Sequence, residues 1–230
     1  LEQRPDVRHS EFFQYERNEI TFRLNRFFTK ELQRAQQDQE EFVPLLEEAS
    51  FGMTFEAQSS PHLILNVGGR QVKIRGRIDR IDVAASTLDS AEPRVRIIDY
   101  KSGSSPITKD DAYQGRNIQL PLYALAVERS ILPGSKVVSG AYLSVSSGDF
   151  IGRLAFDPSQ SSSRSGSDDA ALLNLTVQHV ENFVTGIESG DFSVAPNTRT
   201  LCARCPHRPV CRVKELPESV VMKPRNVRED

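Results

Sequence analysis

Two runs alternating at a period of two constrain this chain more than any other feature. One is Gly76-Arg77-Ile78-Asp79, continuing through Arg80-Ile81-Asp82, and the other is Ile97-Ile98-Asp99-Tyr100-Lys101. Their β-branched residues predict two strands. A hairpin loop centred on Asp89 sets Asp79 directly across from Asp99, because the two are equally distant from that centre. Residues two apart on a strand share a face, so Asp99 and Lys101 point the same way. Two carboxylates and a lysine gathered in this way can hold Mg²⁺ or Mn²⁺, whose preferred ligands are oxygens, and can activate water against a phosphate. The backbone carbonyl of Tyr100 is a plausible further ligand. The plain alternative makes Asp79 and Asp99 strand-end charges at a sheet rim. Asp82 lies three residues beyond Asp79 and so on the opposite face, where a salt bridge with Arg80 or Arg96 is expected.

Around this hairpin the pattern changes period several times. Ser10 to about Gln39 predicts a long helix, with Phe13, Ile20, Leu24, Phe27, Phe28 and Leu32 recurring at three and four. The stretch 40–50 predicts a shorter helical piece broken near Pro44. Strands are expected over Phe51–Ala57, His62–Val67, Gln71–Val83 and Arg94–Lys101, with turns at Ser59-Ser60-Pro61 and Gly68-Gly69. Ile118–Ser130 predicts an apolar helix stopped by Pro133-Gly134. Strands over Val137–Ser146 and Phe150–Phe156 follow. Pro158–Ser167 is rich in Ser and Gly and predicts a linker. Asp168-Asp169 opens a helix to about Glu188, with acids at its positive end. The order predicts a mixed α/β domain with a central sheet over residues 1–189, followed by a Cys-rich segment over 190–230.

Composition narrows the class without naming a partner. The 230 residues are 38% apolar and 26% charged, ordinary for a globular chain. No apolar run approaches the length of a membrane span. The N-terminus has neither an initiator Met nor a signal-peptide pattern, and reads as a piece of a longer polypeptide. A net charge of −2 does not announce a nucleic-acid binder, though basic residues from Arg75 to Arg212, Arg77 and Arg116 among them, supply phosphate contacts. Cys202, Cys205 and Cys211 form C-x₂-C-x₅-C; an odd number so closely bunched argues against disulfides. The spacing points to a metal or cluster site in a reducing compartment, taken as the cytoplasm. His207 offers a Cys₃His zinc alternative, and free thiols are a third.

Together, Gly-Arg-Ile-Asp-Arg-Ile-Asp (76–82), Ile-Ile-Asp-Tyr-Lys-Ser-Gly (97–103) and Gln-Leu-Pro-Leu-Tyr (119–123) resemble the PD-(D/E)XK nuclease superfamily. Within it they are most similar to the RecB-like branch of helicase–nuclease proteins, the AddB type in particular. The resemblance implies a restriction-endonuclease-like core and a metal-dependent deoxyribonuclease. Asp79 and Asp99 would be metal ligands and Lys101 the catalytic lysine. Gln119 and Tyr123 would lie near the active site or DNA path. They are four apart, on one helix face, although Pro121 favours a helix start and sets Gln119 near the boundary. A further acid is expected on the helix before the sheet, where Glu48 fits the metal set and Glu47 is its rival. The cysteines resemble three ligands of a [4Fe–4S] cluster whose fourth Cys lies outside this chain, in the parent. The implied partners are single-stranded DNA ends and an AddA-like helicase–nuclease protein, with no membrane. The implied role is exonuclease work in double-strand-break repair and recombination. A stand-alone CRISPR-adaptation-type exonuclease and a non-catalytic DNA-binding scaffold of the same fold are the alternatives.

Overall fold

The computed structural model describes residues 11–38, 40–55, 58–157, 170–192, 202–203 and 205–211. In it the two alternating runs form β6 (Gly76–Ala84) and β7 (Arg94–Lys101). They pair antiparallel, Arg80 opposite Ile98 and Val83 opposite Val95. Each pair is symmetric about Asp89, the expected loop centre. One further step of the same register sets Asp79 against Asp99.

β1 (Phe42–Phe51), β8 (Lys136–Ser144) and β9 (Phe150–Ala155) complete a five-stranded sheet in the order β1-β6-β7-β8-β9. Neighbours run antiparallel except β7 and β8, which are parallel. A parallel pair requires a crossover, and this one carries α2 (Lys109–Tyr113) and α3 (Gln119–Ala126). The architecture is the mixed α/β sheet flanked by helices that the element order predicts.

Parity along β6 and β7 gives the sheet two different faces. On one, α1 (Glu11–Gln37) seats Phe27 against Ile98 and Leu143, with Tyr100 and Phe150 packed beside them. On the same face Asp82 accepts from Arg80 Nε at 2.6 Å and from Arg96 Nε at 3.0 Å. This is the salt bridge that parity predicts for Asp82. Arg80 also reaches Glu31 of α1 at 2.6 Å, so the charged group ties helix to sheet. On the other face α3 crosses β8 at Gly140, where an added Cβ would lie 3.4 Å from Leu120. The missing side chain lets the helix approach, and Leu120 and Ala124 are fully buried there.

Four expectations need correction. Residues 42–51 are a strand, not the short helical piece predicted over 40–50. Pro44 denies a helix its interior hydrogen bond. As an edge strand β1 tolerates it, and the register shifts between Pro44 and Leu46, the usual place for a strand proline. The predicted strand Gln71–Val83 is two strands, since Arg75 separates β5 (Arg70–Ile74) from β6. β5 pairs instead with β4 (Leu63–Val67) around Gly68 and Gly69, whose φ values are 55° and 75°. The predicted strand 51–57 breaks at Gly52, φ 65°, into the end of β1 and a short β2 (Thr54–Phe55), which pairs with β3 (Gln58–Ser59). The predicted helix Ile118–Ser130 ends as α3 at Ala126 and continues as one π-helical turn, Val127–Ile131.

The chain forms two compact units, Leu1–Thr176 and Val177–Asp230. The sheet belongs to the first. Helix α4 (Ala170–Glu188) leads into the second. There Cys205 N donates to the Cys202 carbonyl at 3.4 Å and Cys211 N to the His207 carbonyl at 2.9 Å. The Ser- and Gly-rich stretch 158–167, the acids 168–169 and the tail 212–230 lie outside the described residues. Among the described residues no helix is long and apolar enough to cross a membrane.

Candidate active site

The face of the sheet that carries α3 gathers five of the residues singled out by sequence. Beyond the ladder pair Arg80–Ile98, Asp79 Oδ2 accepts the Tyr100 amide at 2.7 Å. A carboxylate thus serves the backbone where β6 and β7 part, and this bond holds Asp79 beside Asp99. Asp99 is 3% exposed. Lys101 Nζ lies 2.6 Å from Asp99 Oδ2, two residues along the same face. The contact is an ion pair without hydrogen-bond alignment, so Oδ2 is a buried acceptor with no hydrogen-bond partner among the described residues.

Gln119, the first residue of α3, joins the group. Its Nε2 donates to Asp99 Oδ1 at 2.7 Å and to the Tyr123 hydroxyl at 3.0 Å, while its Oε1 accepts from Lys101 Nζ at 2.8 Å. A carboxylate only accepts and an ammonium only donates, so one amide orientation satisfies both neighbours. Gln119 therefore spans the acid and the base and keeps Lys101 from being spent wholly on Asp99. Pro121 sits inside the first turn, where its missing N–H breaks no helical bond. Gln119 is thus on the helix, and the spacing of four brings Tyr123 to it.

Burial, first, pushes the Asp99 carboxyl above its ordinary value, and the Asp79 charge adds to this; Lys101 opposes both. Burial likewise raises the Tyr123 phenol, with the charges of Asp99 and Asp79 in the same direction. The group as it stands favours added positive charge.

Two contributors escaped the sequence reading. Asn117 Oδ1 accepts from Gln119 N at 3.3 Å and from the Tyr142 hydroxyl at 2.6 Å, fixing the start of α3 against β8. Tyr142 is the parallel neighbour of Asp99, and Lys101 Nζ stands 5.1 Å from the centre of its ring. The signal for Asn117 was local, an Asn two residues before a helix start. Tyr142 had none, because only strand order brings β8 beside β7.

Glu48 differs from its expectation. It lies in β1 rather than on a helix, at φ 50°, the left-handed region unusual for a side-chain-bearing residue. Glu47 pairs with Arg80 and Ala49 with Ile78, so the register sets Glu48 opposite Asp79. Its carboxylate is taken by Arg77 Nε at 2.8 Å on an exposed surface. The structure thus brings Asp79, Asp99, Lys101, Gln119 and Tyr123 together and leaves the Glu48 side chain paired elsewhere.

Among the described residues no three of His, Cys, Asp or Glu are gathered so as to hold a metal ion. The pair of carboxylates nevertheless fits a hard divalent cation. Mg²⁺ is commonly held through one or two carboxylates together with water and substrate phosphate. Among the described residues Asp99 Oδ2 meets only the Lys101 ammonium, at 2.6 Å, and further positive charge there would offset both burial and the Asp79 repulsion, which Lys101 alone does not cancel. The cysteines do not fit a complete cluster. Cys202, Cys205 and Cys211 are free thiols, one short of the usual four ligands.

Comparison with known proteins bears on the same residues. The B component of an ATP-dependent helicase/deoxyribonuclease from Symbiobacterium thermophilum is 41% identical over 111 residues, 46% of this chain and 9% of that protein. The corresponding proteins of Moorella thermoacetica and Caldanaerobacter subterraneus subsp. tengcongensis are 44% identical over 87 residues and 40% over 101, covering 37% and 44% of this chain and 7% and 8% of theirs. The chain therefore matches about a tenth or less of each relative's length. Residues 1–212, which include both strands of the acidic hairpin and the Gln119–Tyr123 helix, match one nuclease family over most of the sequence, and the chain belongs to the PD-(D/E)XK nuclease superfamily.

Proposed function

We propose that this chain is the metal-dependent nuclease domain of a helicase–nuclease, hydrolysing phosphodiester bonds of DNA during double-strand-break repair and recombination. The observation that carries the proposal is the gathering of four side chains on one sheet face: Gln119 is hydrogen-bonded to both Asp99 and Lys101, those two form an ion pair, and the Tyr100 amide holds Asp79 beside them. Asp79, Asp99 and the Tyr100 carbonyl would hold Mg²⁺ or Mn²⁺. When bound, the ion supplies acidification of water and neutralisation of charge on the scissile phosphate. Lys101 orients the attacking water or meets the charge that builds on the phosphate oxygens. Gln119 sets the Lys101 ammonium and the Asp99 carboxylate in fixed relation, so that little reorganisation remains at the moment of reaction. Glu48 would enter the ligand set by leaving Arg77, an exposed pair worth about 0–1 kcal/mol and so readily exchanged.

Similarity to the helicase/deoxyribonuclease proteins supports a DNA substrate and a helicase partner, here taken as AddA-like. Single-stranded ends as substrate and exonucleolytic cutting are proposed on the motif resemblance alone. The Cys202, Cys205 and Cys211 spacing supports a cluster in the parent, and no step of the reaction is routed through it.

The test is cleavage of end-labelled single-stranded DNA with Mg²⁺ or Mn²⁺ by wild type, Asp99→Ala and Lys101→Ala. Metal-dependent cutting lost in both variants is the expected result. Equal cutting by all three would overturn the site. Silence of the wild type, in this chain and in the longer parent, would favour the DNA-binding scaffold.

A further inference from the structure

A cleft of about 390 Å³ opens beside the acidic group, between the start of α3 and the β5–β6 junction. That volume lies in the range of about 300–1,000 Å³ found for small-ligand sites. Gln119 and Tyr123 form part of its wall. Gln119 also donates to Asp99 Oδ1 at 2.7 Å, so whatever fills the cleft sits one side chain from the acidic pair.

We propose that the cleft receives one unpaired base of the substrate strand, the base adjoining the phosphate that is cut. The inference rests on the nuclease reading above and deepens it, by naming where one base of the strand sits relative to the cut. Much of the lining is apolar or aromatic: half-buried Ile74, Ile118, Leu122 and Tyr123 stand there, and the Tyr123 ring is braced from behind by the buried Phe51 ring, edge to face at 6.2 Å. A phosphate alone would leave such a surface unsatisfied. A flat base with a π face suits it, and the energy of stacking on aromatic side chains is tolerant of sequence. In a duplex the base is paired and stacked inside, and to reach the cleft it must first leave the helix. Arg75 and Arg116 share the lining and supply cations for the phosphates on either side of that base. Arg116 is held by Asp111, Nη2 to Oδ1 at 2.8 Å, and so is placed before substrate arrives. Of the scattered basic residues of the sequence, these two line the cleft.

A series of single-stranded oligonucleotides, each with one abasic position stepped past the cleavage point, tests this with the 230-residue chain and Mn²⁺. Single-turnover cutting should slow about tenfold when the gap adjoins the scissile phosphate and little elsewhere. Tenfold corresponds to about 1.4 kcal/mol, the scale of one stacked base. Arg75→Ala, which removes one phosphate contact, should raise KM, and an unchanged KM would remove Arg75 from the strand path. Uniform rates along the series would overturn the cleft while leaving the nuclease standing. If the wild type cuts nothing, in this chain and in the longer parent, the nuclease reading fails separately, and the cleft is read from a 2-aminopurine oligonucleotide bound in Ca²⁺. A fluorescence change abolished by Leu122→Phe, which crowds the cleft, would uphold it; a change that survives in the variant, or none in the wild type, would overturn it.

Discussion

Asp82→Ala probes the face of the sheet that does no chemistry, and its cost can be worked from the contacts. Asp82 is 0% exposed and takes Arg80 Nε at 2.6 Å, Arg80 Nη2 at 2.7 Å and Arg96 Nε at 3.0 Å. Removing it leaves two guanidinium groups whose side chains are 13% and 19% exposed. Neither loses every partner. Arg80 keeps Glu31 at 2.6 Å and the Tyr100 hydroxyl at 3.1 Å, and Arg96 keeps Asp38 at 2.7 Å. Nor can Arg80 escape by releasing its proton. A guanidinium stays charged in proteins, and Glu31 and the Tyr100 hydroxyl remain bonded to it. Breaking a buried ion pair from one side costs about 3–5 kcal/mol, and the surviving partners put this case at the low end, about 3 kcal/mol. For a chain of this size that lowers Tm by about 6–12 °C. Thermal and urea unfolding followed by circular dichroism measure it. The double variant Arg80→Met with Asp82→Leu, which removes both charges, should recover most of the loss. Metal-dependent cutting per folded molecule should persist in Asp82→Ala, since Asp82 and Asp79 lie on opposite faces. A loss below about 1 kcal/mol, or a double variant no better than the single, would refute the reasoning.

Three further outcomes are expected. The Asp99 carboxyl is raised, so it binds a proton more readily folded than unfolded, and its contribution to stability falls as pH rises above 3.8. Asp99→Asn should therefore melt higher than wild type at neutral pH without added metal, lose that advantage at pH below the ordinary carboxylate value, and cut no DNA; a lower Tm at neutral pH would contradict the sign. Glu48→Gly relieves a residue at φ 50° at the expense of an exposed pair with Arg77, and should leave stability unchanged or raise it by about 1 kcal/mol. Cutting that survives Glu48→Gly removes Glu48 from the metal set, and cutting that is lost places it there. Gly76→Ala would set a Cβ 2.7 Å from Phe51 Cζ, and should cost about 1–3 kcal/mol in a melting experiment; an unchanged Tm would mean that the Phe51 ring gives way freely.

How much of the site could be read beforehand follows from how local each signal is. Asp99 and Lys101 share a face because they are two apart on one strand, and Gln119 meets Tyr123 because they are four apart on one helix; both are fixed by backbone period. The Asp79–Asp99 register needed only the symmetry of one hairpin. Residues 40–50 misled because acids and Leu recur there at spacings a helix can use, while the competing signal, pairing with β6, is long-range. The break at Arg75 escaped because both flanks alternate, and only the departure of β5 to join β4 reveals it.

By itself the sequence determined the chemical inventory: two acids and a lysine on one face, an Asp82 turned to the other, and a Gln and Tyr ready to join. Periodicity decides such matters within one element or one hairpin. Tertiary structure alone decided that β8 lies parallel to β7 and lends Tyr142, that Asn117 pins α3 to it, and that Glu48 stands opposite Asp79 with its carboxylate on Arg77. It also decided that a cleft opens between α3 and the β5–β6 junction. These depend on which strands become neighbours, a choice made by burying both sheet faces at once, and no local spacing encodes it.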